Sequence, residues 1–206
     1  MLIILFAIIL ILAMTALFVS QGLFTSMITA VMSVVCAAFT LNAYPALATA
    51  LGLYDSQGPV ANGTALTALF VLSLIASKEA ADYLVPKTVH FSTLIDRIGG
   101  GVFGLIASMT MVGMVLVILQ LLPLGESILG YRPYNDALQR QDTAWPFFAD
   151  DFAVAIGEIG SVGAFGGEGS FNDIHADLLR EAAAARNTAG SGSTTYARGN
   201  SLMKIE

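Results

Sequence analysis

The sequence predicts an all-α integral membrane protein: four transmembrane helices followed by a tail of short helices. Three observations carry this expectation. Of the 206 residues, 56% are hydrophobic and 12% are charged, against about 25% charged in soluble domains. The charges are segregated: residues 1–54, 56–77 and 98–125 contain no Asp, Glu, Lys or Arg. Apolar runs of ~18 or more residues are long enough to span, because ~20 residues rising ~1.5 Å each cross a ~30 Å hydrocarbon core.

The formal charge of −6 comes mostly from residues 126–206, which hold 11 acidic and 6 basic side chains. An acidic tail argues against a nucleic-acid partner and against a polybasic hold on anionic lipid. Cys36 stands alone, so no intrachain disulfide forms, and one thiol does not make a metal site. In its apolar surroundings it reads as a small buried hydrophobe. The N-terminal run lacks a basic leader and a small-residue cleavage site before Gly22, so it reads as a retained first span.

Residues 1–124 form the transmembrane domain, with spans at about 2–19, 23–42, 60–77 and 98–122. Span 1 is nearly pure Leu, Ile, Phe and Ala. Ser20-Gln21-Gly22 is a polar break suited to a tight antiparallel turn. Span 2 is rich in small and hydroxyl residues, which hydrogen-bond to helical carbonyls or across helix pairs in lipid. Tyr44-Pro45 interrupts its pattern, since Pro lacks an N–H and disfavours a helical residue before it. The piece at 46–54 either continues as a kinked extension or lies along the interface. Span 3 continues as a helix leaving the membrane, where Lys78, Glu79 and Asp82 emerge, and Pro86 stops it. Span 4 carries Gly100, Gly104 and Ser108, four apart on one face. Helix-interior Gly costs ~1 kcal/mol relative to Ala, so this face reads as a surface for close helix packing. Span 2, through Ser33 and Ala37, is its expected partner.

Residues 125–206 are an acidic extramembrane tail. Residues 144–162 form its interfacial segment, led by the cluster Trp145-Pro146-Phe147-Phe148. Residues 173–186 form an Ala-rich helix, and residues 187–206 a mobile end. Amphipathic rings favour the headgroup level, so Tyr44, Trp145, Phe147 and Phe148 are expected as interfacial anchors.

Orientation follows from basic residues near the span ends. Lys78, Lys87 and Arg97 mark the 78–97 loop, whereas the 20–22 and 55–59 loops have none. The 78–97 loop is therefore expected on the cytoplasmic side, with the N-terminus and tail on the outer side. Asp96 is expected to cap span 4, and Arg97 to anchor it at the cytoplasmic face.

Little in the sequence points to chemistry. The glycine-rich run at 163–169 lacks the strand, helix and Lys of a phosphate-binding loop. His90 and His175 have no helix-spaced partners, and Asp150, Asp151 and Glu158 lack the spacing of a calcium loop and read as a solvated acidic face. No His or Asp lies inside a span, which argues against an intramembrane protease and a proton-coupled pump. No catalytic residue, metal or cofactor is expected, and the partners are the bilayer and either a second copy or a larger membrane complex met through the tail.

Four spans, a short break after the first, and Asp96-Arg97-x-x-Gly100-x-x-x-Gly104 opening the last resemble the bacterial colicin V production protein family (CvpA). The stretch SQGLFTSMITAVMSVVCAAFTLNAY resembles that family's second-span region. The resemblance covers about residues 1–124 and leaves the tail unaccounted for. Members usually carry a basic residue in the first turn and often Arg or Gly near position 108, where this chain has Ser20-Gln21-Gly22 and Ser108. The resemblance implies a non-enzymatic inner-membrane protein assisting toxin or peptide export, or envelope homeostasis. Two alternatives stand beside it: a small oligomeric channel or transporter, and an accessory subunit docked on a larger complex.

Overall fold

In the computed structural model, the described residues are 2–53, 60–84, 92–122 and 148–162, together with 177, 178, 180, 182 and 184. Trp145, Phe147, His90, His175, the glycine-rich run and the expected mobile end lie outside them. Among the described residues the elements are five helices and no strand: α1 (Leu2–Gln21), α2 (Leu23–Ala50), α3 (Ala61–Leu84), α4 (Thr93–Leu121) and α5 (Phe148–Val162). α2, α3 and α4 are each long and apolar enough to cross a membrane, and α1 is a shorter apolar helix.

The helices pack in the order α1, α4, α2, α3, so α4 sits between α1 and α2. α1 and α2 are joined by Gly22 alone, yet touch each other far less than each touches α4. α4 runs antiparallel to α1, with Gly100 near Gly22, Gly104 near Phe18 and Ser108 near Thr15. It runs parallel to α2, where Gly99 meets Leu23 at one end and Leu121 shares a cluster with Tyr44 and Ala48 at the other. α3 returns antiparallel, its Gly63 against Leu122.

Polarity is arranged for lipid. Large apolar side chains face outward, among them Leu12 and Leu17 on α1, Val31 and Val35 on α2, Leu72 and Ile75 on α3, and Ile98 and Val102 on α4. Small and hydroxyl residues face inward: Ser26, Ser33, Ala37, Thr40, Ala107, Ser108 and Thr110 are buried. In a bilayer the outer residues gain nothing by being buried in protein, so association rests on close backbone approach and interhelical hydrogen bonds. This is an all-α membrane protein.

One detail decides between two sequence alternatives, and two others differ from the sequence expectation. α2 runs unbroken through Pro45 to Ala50. Pro45 lacks the N–H that would pair with the Leu41 carbonyl, a loss that membrane helices tolerate. Gly52, at φ 61, follows the helix end. Tyr44 is enclosed by protein at 1% exposure rather than presented to headgroups. α4 begins at Thr93, with Ser92 as N-cap, so Asp96 sits inside its first turn instead of capping it.

α5 lies across the bundle. Its face of small residues crosses α4 at Gly113, where Ala149 and Ala153 sit, and then α2 at Ala38 and Asn42, where Gly160 sits. A Cβ at Gly113 would overlap the Ala149 carbonyl, so this crossing requires glycine. Of the described residues after α5, Leu178 packs against the cluster that holds Tyr44, Leu66 and Ala153, Ala182 is buried, and Arg180 pairs with Asp177 at 3.3 Å on the surface.

Candidate functional site

The D-R-x-x-G-x-x-x-G opening of α4 forms a clamp around the first turn. Gly22 has φ 89, a conformation that favours glycine. As N-cap of α2 it offers no side chain, and the first turn of α2 holds no acidic residue. A helix start leaves backbone N–H groups unpaired and carries positive partial charge. Asp96 supplies what is missing from another helix: its Oδ1 accepts the Leu23 N–H at 3.2 Å. The Ser26 hydroxyl closes the turn by donating to the Phe18 carbonyl at 2.9 Å. Arg97 is exposed.

Gly100, Gly104 and Ser108 lie together against α1 and not against α2. A Cβ at Gly104 would meet Phe18 Cβ, and one at Gly100 would lie 3.3 Å from the Gly22 backbone. The Ser108 hydroxyl donates to the Gly104 carbonyl at 2.6 Å and accepts from Thr15 at 3.2 Å. α2 takes a second face of α4. Ala30 meets Ala107, and Ala37 and Leu41 share a cluster with Met114 and Val117. Ser33 is fully buried, its hydroxyl donating to the Ala30 carbonyl at 2.9 Å.

The second feature is a cavity of about 410 Å³ bounded by the end of α1, the first half of α2, the second half of α3 and Met111 of α4. Its apolar wall is Phe18, Phe24, Ile28, Met32, Leu74 and Met111. Gln21 lines it beside the first turn, and Lys78 and Asp82 line it from α3. At its deep end, Ser33 and Ser77 lead into a seam between α2 and α3. There Cys36 Sγ lies 3.0 Å from Ser77 Oγ and 3.4 Å from the Ser73 carbonyl, and Thr40 Oγ1 lies 3.3 Å from Ser73 Oγ. The spacing of Thr25, Thr29, Ser33, Cys36 and Thr40 follows one side of a helix, and that pattern was available in the sequence.

The third feature is the lock that holds α5. Gln120 Nε2 donates to Asp150 Oδ2 at 2.6 Å, with Asp150 only 4% exposed. Asn42 Nδ2 donates to the Gly157 carbonyl at 3.0 Å. Asp150 therefore departs from the expected solvated acidic face, while Asp151 and Glu158 are exposed. A buried carboxylate needs partners, and a charge-assisted bond of this length is a strong one. Phe148 opens α5. Among the described residues no group of His, Cys, Asp and Glu is placed to hold a metal ion.

The family model described as Colicin V production protein matches residues 3–136, which include α1 to α4 and their clamp. No curated protein and no solved structure matches the chain.

Proposed function

We propose a non-enzymatic role in a bacterial inner membrane for this chain, which belongs to the Colicin V production protein family: it assists export of a toxin or peptide, or more broadly maintains the envelope. One observation supports this reading. Four interior polar contacts join one helix to another, Ser26 to Phe18, Thr15 to Ser108, Asn42 to Gly157 and Gln120 to Asp150, while Thr29, Ser33 and Ser108 also bond carbonyls of their own helices. Such an interior serves assembly in the bilayer. In the proposed orientation the Gly22 turn and the 78–97 loop face the cytoplasm, and the N-terminus and α5 lie on the periplasmic side.

Deleting the chain from its host and complementing with variants tests the role. The expected result is reduced peptide-toxin export or increased detergent sensitivity, restored by the wild type and not by Gly104→Leu. Unchanged export and an unchanged envelope in the deletion strain would contradict it.

A second reading, a small conduit, draws on the cavity continuing into the α2–α3 seam. It requires the Thr29 and Ser33 hydroxyls to leave the Thr25 and Ala30 carbonyls they now bond. Solute flux through vesicles holding the purified protein, lost in Ser33→Leu, is the result this reading predicts.

A further inference from the structure

We propose that the cavity among α1, α2 and α3 is an aqueous vestibule, open on the side of the Gly22 turn and carrying water to mid-bilayer depth around Lys78 and Asp82. A vestibule closed at its floor needs no transit, so it stands apart from the conduit reading.

The depth of α3 carries the inference. Cys36 Sγ lies 3.0 Å from Ser77 Oγ and 3.4 Å from the Ser73 carbonyl, and α3 runs antiparallel to α2. Lys78 therefore stands at the level of Ser33, with which it lines the cavity. Asp82 lies one turn, about 6 Å, nearer the Gly22 turn. Leu23 marks one edge of the apolar zone: it meets Asp96 and Gly99 of α4, where Arg97 is exposed. Ser33 is ten residues farther along α2, or about 15 Å, half of a ~30 Å hydrocarbon core. Around these levels the other helices turn large apolar side chains outward: Leu17 on α1, Val31 on α2 and Leu105 on α4 are exposed.

Ionisable side chains at such depth face water or a partner. Lys78 and Asp82 are exposed, and neither makes an ion pair among the described residues. Glu79 beside them is exposed as well. The cavity gives water a path to this level. Gln21, Thr25, Thr29 and Ser33 line it at four-residue steps, a polar row from the turn to the floor. Phe18 and Phe24 line the turn end beside Gln21, so water follows the polar row there. The Thr29 hydroxyl donates to the Thr25 carbonyl, which leaves its oxygen as an acceptor. A dry cavity is apolar throughout, whereas water needs polar partners and room. The volume here is about 410 Å³, against roughly 30 Å³ for one water in the liquid. A lipid chain would instead set methylenes against two unpaired charges.

The test is thiol accessibility in the full chain, in membrane vesicles of both orientations and a Cys36→Ala background. The probe is a permanently charged methanethiosulfonate, which does not cross lipid. Thr29→Cys should react from the same side as Ser20→Cys, and from that side only. It should react about tenfold or more faster than Val31→Cys, which lies at similar depth and faces outward, because the reactive thiolate forms where water reaches. Lys78→Met with Asp82→Leu should slow the reaction of Thr29→Cys while Ser20→Cys, the control for folding, keeps its rate. Equal rates at Thr29→Cys and Val31→Cys, or a Thr29→Cys rate unchanged by the double substitution, would overturn the proposal. Reaction of Thr29→Cys from both sides would overturn the closed floor.

Discussion

Asp96 shows how a single side chain acts on a helix it does not belong to. Its carboxylate accepts the first N–H of α2 from across the bundle, because Gly22 offers the left-handed turn and no cap of its own. Replacing a capping carboxylate costs about 0.5–2 kcal/mol, and an N–H left unpaired away from water adds to that. Asp96→Ala is therefore expected to destabilise by about 1–3 kcal/mol, and Asp96→Asn, which keeps an acceptor oxygen, by less. Reversible unfolding in mixed micelles measures both, and equal losses for the two variants would point to charge rather than capping. Gly104 makes the complementary case for size. Its missing Cβ is what admits Phe18, so Gly104→Leu should separate α1 from α4. Overpacking costs typically 1–3 kcal/mol, and an unfolding midpoint equal to wild type would remove the packing role.

At the scale of elements, α5 is the instructive case. Its face of Ala149, Ala153, Gly157 and Gly160 fits a crossing over α4 and α2, and two side-chain bonds fix it there. Gly113→Val should displace α5 without unfolding the spans, because the added carbons meet the Ala149 backbone. A cysteine at Ala153, in a Cys36→Ala background, reports this: protected from a water-soluble maleimide in the parent and labelled in the Gly113→Val form. Continued protection would show that α5 is held by other means. Gln120→Leu, which removes the bond to a buried carboxylate, should loosen the same helix by about 1–3 kcal/mol.

For the whole molecule, the helices and the lipid-facing surface were legible in the sequence, and the neighbours were not. Charge-free runs and apolar length marked the apolar helices, since those properties depend on the residues of one helix at a time. The four-residue spacing of Gly100, Gly104 and Ser108 announced a packing face for the same reason. Spacing names a face and leaves its partner open, so the choice of α1 over α2 emerged only in three dimensions. Asp96 with Leu23 and Gln120 with Asp150 are contacts between residues 73 and 30 positions apart, and no local pattern encodes them. The local preference of Pro45 left two courses open for 46–54, and the helix continues through it. The proposed four-pass orientation has its own check: cysteines placed at Ser56 and Lys78 should label from opposite sides of the membrane, and labelling from one side would reduce the number of spans between them.

The central claim is that the last span lies between the first two with its glycine face against α1. Thr15 and Ser108, whose hydroxyls lie 3.2 Å apart, allow a direct test. In native membranes and a Cys36→Ala background, Thr15→Cys with Ser108→Cys should form a disulfide on mild oxidation, because the two side chains are in direct contact. Absence of the disulfide, with both thiols reacting with a lipid-soluble maleimide, would place that face against lipid and contradict the account.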